Sequence, residues 1–525
     1  MAPAGRAASL MAVGTAFSRA TGLVRTAALA AALGVTGLAD AYNTANTIPN
    51  MLFMLVTGGT LSAVVLPMLA RDDDPDRRRE RAAVLGGAIV ALTAGASVLL
   101  AVAAPLLARG FAISRSGPEQ EAFVAVAAAW IALFAPQVVL YGLSVHAVAV
   151  LQAHGRLGLA GFAPVATNLL TILAVAGYLW AGGPRPPSLA GLGTGPLVVL
   201  GVGTTLGVGA MALLQWLGAR RTMPGLRLRW APRHPAVAEL WQLGRWTLGY
   251  VVVNQLGLVV VLVLANAVEG GVAAYQWAFI IMQLPYAVVA VSLLSASYPR
   301  LAQAAEDPAA YARHMSTGLR LTAALLIPAA VGLAVLADPI ATLLLGYGAA
   351  AGAGAAFVAG TLRWFALALV PFTLFQLLTR AFYARSDTRS PMLANVAVNL
   401  VNVIGGLLAI ALVDRPQARI AGLVAAYALS YVTGVAALAL ALVRRIPSAF
   451  TGVGRAAGTA VLASAAMAAV LASVGAAWPP SSAMAAPTAA TRTAALAGLG
   501  LLAYLGAGLL LRSPELSLVR SRAAR

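Results

Sequence analysis

The sequence predicts an all-α integral membrane protein of about fourteen transmembrane helices, built as two six-helix lobes related by a parallel repeat plus two C-terminal helices. Three observations carry this: the composition, the placement of the arginines and an internal repeat. Of 525 residues, 61% are apolar and only 10% charged, with a mean hydropathy of +0.86. A soluble domain carries roughly 25% charge, so too few polar residues remain to clothe soluble surfaces. Lipid must be the solvent. A cytosolic enzyme, a disulfide scaffold and a disordered chain are excluded, and the absence of Cys also removes thiolate chemistry and Cys-ligated metals.

A spanning helix needs about 20 mostly apolar residues. By that measure spans lie near 9–34, 39–69, 83–108, 121–153, 158–180, 195–219 and 241–266, then 271–298, 318–345, 355–383, 391–413, 419–443, 455–476 and 492–511. The first span follows Arg6 in the manner of a signal peptide, but it runs on past Arg19 and Arg25 and reads as a retained helix. The stretch 71–81 (RDDDPDRRRER) holds Asp72 and Asp74 in a D-x-D spacing, yet no nucleotide-binding sequence surrounds it and it reads as a solvated loop. Segments 182–196 and 477–491, rich in Gly, Pro, Ser and Ala, read as external loops.

All 35 basic residues are Arg. A net charge of +19 is compatible with nucleic-acid binding, but the arginines are scattered among short loops rather than gathered on a polar domain. With the N-terminus inside, 25 fall on cytoplasmic segments and six outside (Arg109, Arg115, Arg185, Arg415, Arg419 and Arg492), as the positive-inside rule requires. Arg19, Arg25, Arg245 and Arg363 remain within or beside helices. An even number of spans places both termini in the cytoplasm.

The repeat aligns 163–173 (APVATNLLTIL) with 394–404 (ANVAVNLVNVI), and 61–70 (LSAVVLPMLA) with 293–302 (LLSASYPRLA). The offsets match a shift of six spans, which preserves orientation. The expected units are 1–235, 236–450 and a 451–525 extension of two helices and a basic tail. Repeat-built transporters hold substrate between their halves.

Ionisable side chains inside a membrane face cavities. The first span offers Arg19 and Arg25, and the second begins with Asp40. Two cations and one acid suit an anionic ligand. The second span is also rich in Asn43, Thr44, Asn46, Thr47 and Asn50, with a kink expected at Pro49, so it is expected to line the cavity and to bring Asn46 and Asn50 to substrate. Asp40 is the one acid of sixteen with a clear place in the cavity, which argues against a membrane enzyme relying on carboxylates. His146, His154, His234 and His314 show no metal-ligand spacing. Asn254, Asn395 and Asn399 could supply oxygens to a monovalent cation, with packing the plainer role.

The stretches SRATGLVRTAALAAALG, ADAYNTANTIPN and GGTLSAVVLP resemble the MurJ (MviN) family of lipid II flippases, within the multidrug/oligosaccharidyl-lipid/polysaccharide exporter superfamily. The resemblance implies a V-shaped bundle working by alternating access on lipid II, in the bacterial cytoplasmic membrane, with no cofactor and with cell-wall synthesis or division proteins as candidate partners. It also implies roles for Arg19, Arg25 and Asp40, with Asp40 orienting an arginine toward pyrophosphate. Many relatives carry further charged residues where this chain has Phe53, Met54, Gly58 and about Ile280, and acids at a sodium site where this chain has Asn. The alternatives are a flippase for another undecaprenyl-linked glycan, a drug or cation antiporter, and a structural relative without transport.

The topology is directly testable because the chain has no Cys. A single Cys at position 76 should react only with membrane-permeant reagents. Labelling from outside would reverse the orientation.

Overall fold

The computed structural model describes residues 3–56, 74–476 and 486–515. The second half of the predicted second span, positions 71–73 of the basic loop, 477–485 of an external loop and the tail from 516 lie outside the described residues. Among the described residues there is no strand, and each predicted span is represented by a helix or a broken pair. Eleven are long and apolar enough to cross a membrane, with Val251–Ala265 a shorter apolar helix.

Two compact units are present, Met1–Val272 with Tyr347–Ala350, and Ala273–Gly346 with Ala351–Arg525. The first holds α1 (Pro3–Leu33), α2 (Gly37–Val56), α3 (Pro75–Phe111), α4 (Gly117–Phe134), α5 (Pro136–Ala153), α6 (Leu157–Phe162), α7 (Pro164–Trp180), α8 (Thr194–Thr222) and α9 (Pro235–Ala265). Helix α3 begins eight residues before the predicted span. Asp74 accepts the Asp76 N–H at 2.9 Å, Pro75 opens the first turn, and Asp74 and Asp76 pair with Arg77 and Arg79 one turn on. These are helix-start signals, and they make 75–81 a solvated helical turn rather than a loop.

The predicted fourth span is divided between α4 and α5 by Pro136, which has no N–H to continue the ladder. Carbonyl groups beside the break are taken up from neighbouring helices: Thr205 donates to Leu133 O and Ser97 to Ala135 O, each at 2.8 Å. Freed backbone groups in lipid need such partners. Tyr42 of α2 packs edge-on to Trp130 and Phe134 of α4, and its hydroxyl meets Thr204 of α8 at 2.9 Å. Asn168 of α7 donates to Ser18 O and Thr21 Oγ1 of α1, both at 2.9 Å. At the other end of this unit the segment after α8 lies back on α3. Arg229 N–H donates to Ala83 O at 2.9 Å, and the Arg229 carbonyl abuts Gly87 so closely that a Cβ could not fit.

The second unit holds α10 (Gly271–Pro285, mostly), a π-helical turn (Tyr286–Ala290), α11 (Val291–Gln303), α12 (Pro308–Val335), α13 (Ala337–Leu345), α14 (Ala353–Ala384), α15 (Arg389–Leu412), α16 (Pro416–Arg445), α17 (Val453–Ala476) and α18 (Ala486–Leu510). Asp307 caps α12 through the N–H groups of Ala309 and Ala310, so Arg313 stands on a helix and not in a loop. The core joins α12, α14 and α16 through Tyr311, Met315, Phe375, Phe382 and Leu438. Helices α17 and α18 pack on this unit through Met467, Leu471, Leu496 and Tyr504, whose hydroxyl donates to Ala324 O at 2.6 Å. Arg320 pairs with Glu515 at 2.6 Å, beyond the end of α18.

Gly87→Ala should displace the segment after α8 and lower the unfolding temperature in detergent, at a cost of about 1–3 kcal/mol. Gly95 of the same helix has open space around its missing Cβ. Gly95→Ala should leave stability unchanged or raise it by up to about 1 kcal/mol through helix propensity.

Candidate substrate site and outer latch

Helix α1 carries both expected arginines. Arg19 is exposed, while Arg25, six residues and ~9 Å of rise further along, is half-buried. Among the described residues, no group hydrogen-bonds the buried Nε of Arg25. Its guanidinium lies within electrostatic reach of Tyr42 and Tyr141. The Asn168 bonds to Ser18 and Thr21 fix α1 just before Arg25.

Helix α2 uses much of its polarity on itself. Asn43 donates to Ala39 O, Thr47 to Asn43 O and Asn50 to Asn46 O, at 2.7–2.9 Å. These bonds follow the turns on either side of Pro49, which lacks a ladder donor. Asn50 also accepts from the Tyr141 hydroxyl at 3.1 Å, and Tyr141 stacks on Phe53 with 4.6 Å between ring centres. Asn46 and Asn50 are both half-buried. Arg25, Tyr141, Asn50 and Phe53 therefore form one neighbourhood of cation, hydroxyl, amide and ring.

Asp40 is placed differently from expectation. Its carboxylate is fully buried and is bonded to Arg115 rather than to a helix-1 arginine. Arg115 donates to Asp40 Oδ2 at 2.9 Å and to Glu119 at 2.8 Å, and its guanidinium covers the Phe123 ring at 4.5 Å. The Gly270 N–H donates to the same Asp40 oxygen at 2.7 Å. Nearby, Asn266 donates to Thr44 at 3.2 Å, Ser114 to Val263 O at 2.9 Å and Gly37 N–H to Glu269 at 3.4 Å. Gly270 has φ +72° and touches the Val35 carbonyl, so no side chain is tolerated there. Three turns, after α1, after α3 and after α9, are thus latched around one buried carboxylate. Short charge-assisted bonds of this kind are the strong ones.

Arg115 was counted in the sequence only as an outer-loop charge. Its spacing to Glu119, four residues on, was the available signal of a structured role. Asn168 was visible only as part of the repeat, where its counterpart is Asn399. Asn399 donates to Asn395 O at 2.9 Å, one turn back on α15, while Asn254 is half-buried on α9. Among the described residues no group of three or more His, Asp or Glu could hold a metal ion.

The family model described as lipid II flippase MurJ matches residues 29–487. A probable lipid II flippase MurJ of Haemophilus influenzae is 26% identical over 414 residues, covering 75% of this chain and 79% of that protein. A lipid II flippase MurJ of Burkholderia cenocepacia is 28% identical over 423 residues, with coverages of 76% and 77%. A solved lipid II flippase MurJ in an inward closed conformation is similar at TM-score 0.78 and 18% identity, over 98% of this chain and 100% of that one. An inward-facing multidrug resistance MATE family transporter of the MOP superfamily reaches 0.64 at 13% identity, over 82% and 95%. These structural likenesses speak for a shared transporter fold, whereas the family match extends from within α1 to the start of α18. The chain belongs to the MurJ family of lipid II flippases.

Proposed function

We propose that this chain moves lipid II, the lipid-linked peptidoglycan precursor, across the bacterial cytoplasmic membrane by alternating access. The observation that carries the reading, beside the family, is the division of charge in the first unit. The buried acid Asp40 is already matched by Arg115, so Arg25 is not neutralised by it. A half-buried guanidinium beside tyrosine hydroxyls is suited to a pyrophosphate, because its planar fork gives bidentate bonds to phosphate oxygens. Arg19, exposed on the same helix, is the second contact, and Asn46 and Asn50 offer amides to the same ligand. Arg19, Arg25, Asn46 and Asn50 are the proposed substrate contacts, and Asn254, Asn395 and Asn399 are the candidates for an ion site.

In this reading residues 1–235 and 236–450 rock as lobes, 451–525 adds two helices, and both termini are cytoplasmic. Asp40 acts as the catch of the outer turns. Breaking its bonds frees those turns, and forming them again closes the outside. No covalent step is needed.

Arg25→Ala should remove complementation of a flippase-depleted strain and the appearance of lipid II in the outer leaflet, with the protein still in the membrane. Full activity in both Arg19→Ala and Arg25→Ala would overturn the proposed contacts. Asp40→Asn and Arg115→Met should each slow flipping by about tenfold or more, consistent with a charged hydrogen bond of ~1.5–3 kcal/mol. The double variant should be little worse than either single one, since both remove one latch. Additive losses would show that the two residues act separately.

A further inference from the structure

The second unit contains a cavity of 520 Å³ that the charge-based site leaves unused. It lies where the break between α12 and α13, the start of α14, the end of α17 and the start of α18 come together. Leu336, Asp338, Gly352, Ala355, Leu471 and Arg492 stand in its wall, all of them within this unit. In the topology expected from the arginines, these are the outer ends of the helices.

Much of the wall is apolar. Leu336, Leu471 and Leu496 also form the seam by which α17 and α18 pack on the unit, so the cavity opens off that seam. The polar groups are few and distinct. Arg492 is only 7% exposed, and its Nη2 donates to Gly475 O at 3.4 Å. Arg363 and Arg415 of the same unit are exposed, as long charged side chains near an interface usually are. Arg492 instead keeps its charge in the cavity wall. The acid of the wall, Asp338, is bonded to Arg363, so two cations and one carboxylate leave this region net positive.

The start of α14 adds to that field. Gly352, at φ +68°, gives the helix no side-chain cap, and the first helical bond runs from Ala356 N–H to Gly352 O at 3.0 Å. The N–H groups of the turn before Ala356 therefore stand at the positive end of a 32-residue helix. Gly352, Ala355 and Ala356 bring this turn to the cavity, and Thr342 of α13 lines it as well.

Small-molecule sites are typically mostly apolar, with a few convergent polar groups and a volume of about 300–1,000 Å³. This cavity has both properties, and a bare oxyanion would leave much of it empty. We propose that it is a phospholipid site, in which Arg492 and the first turn of α14 hold the phosphate of a lipid of net negative charge. A guanidinium gives paired bonds to phosphate oxygens, and a helix start favours the same group. The leucines pack the glycerol and the upper part of the chains. Such a lipid is held rather than moved, and it joins α17 and α18 to the rest of the unit. The proposal does not depend on the flippase reading.

The test follows thermal unfolding of the full chain in detergent as phosphatidylglycerol, phosphatidylcholine of the same chains, or inorganic phosphate is added, since a ligand of the folded state raises the midpoint. Wild type should respond to phosphatidylglycerol at lower concentration than to phosphatidylcholine, whose choline cancels the charge, and should respond little to phosphate. Arg492→Gln should need roughly tenfold more phosphatidylglycerol, the scale of a lost charged hydrogen bond. Arg415→Gln, which removes an exposed charge outside the cavity, should stay within about twofold of wild type. Ala356→Leu keeps Arg492 but fills the cavity from an exposed helix position. It should unfold near the wild-type midpoint without lipid and lose the phosphatidylglycerol response by roughly tenfold. This variant decides the matter if Arg492→Gln does not fold, and an unchanged response in it would overturn the site. Equal responses of wild type to the two lipids, or equal losses in Arg492→Gln and Arg415→Gln, would reduce the effect to general surface charge and overturn it too. Phosphate acting as well as phosphatidylglycerol would assign the cavity to a free anion and overturn the lipid.

Discussion

A polar group surrounded by hydrocarbon must find its partner within the protein, and the arrangement of this chain follows from how each one is found. Prolines interrupt helices at Pro136 and Pro164, and side chains from adjacent helices occupy carbonyls next to the first of these breaks. Asparagine and threonine on α2 bond their own preceding turns around Pro49. The buried carboxylate of Asp40 is the costliest case, and it is met by a guanidinium and a backbone N–H together. An unmatched carboxylate at that place would cost several kcal/mol. The same requirement that stabilises the helices therefore also determines which turns are brought together outside them.

This separates two kinds of arginine. Arg115 has two carboxylates in bonding distance and an aromatic face beneath it. Arg25 is half-buried and, among the described residues, has no carboxylate at ion-pair distance. The first kind holds structure and the second is available for a ligand. Residue type and sequence position would have ranked them in the opposite order, since Arg115 sits in what reads as an ordinary external loop.

Much of the fold was legible because membrane insertion leaves its mark on composition, and long apolar runs marked the spans. Where helices begin was less legible. The start of α3 at Pro75 depends on the Asp74 cap and the one-turn Asp–Arg pairs, which a hydropathy reading sees only as a charged loop. The partner of Asp40 was hidden for a different reason. Arg115 is 75 residues away, and long-range pairing leaves no periodic signal.

The closure at Gly270 is largely a meeting of main chain with main chain. Its N–H reaches Asp40, its α-carbon rests on the Val35 carbonyl, and the positive φ leaves no space for a side chain. A seam of this kind is indifferent to the identity of most residues around it. Turn length, one glycine and one carboxylate carry the fit, so the other positions around the seam can change without opening it.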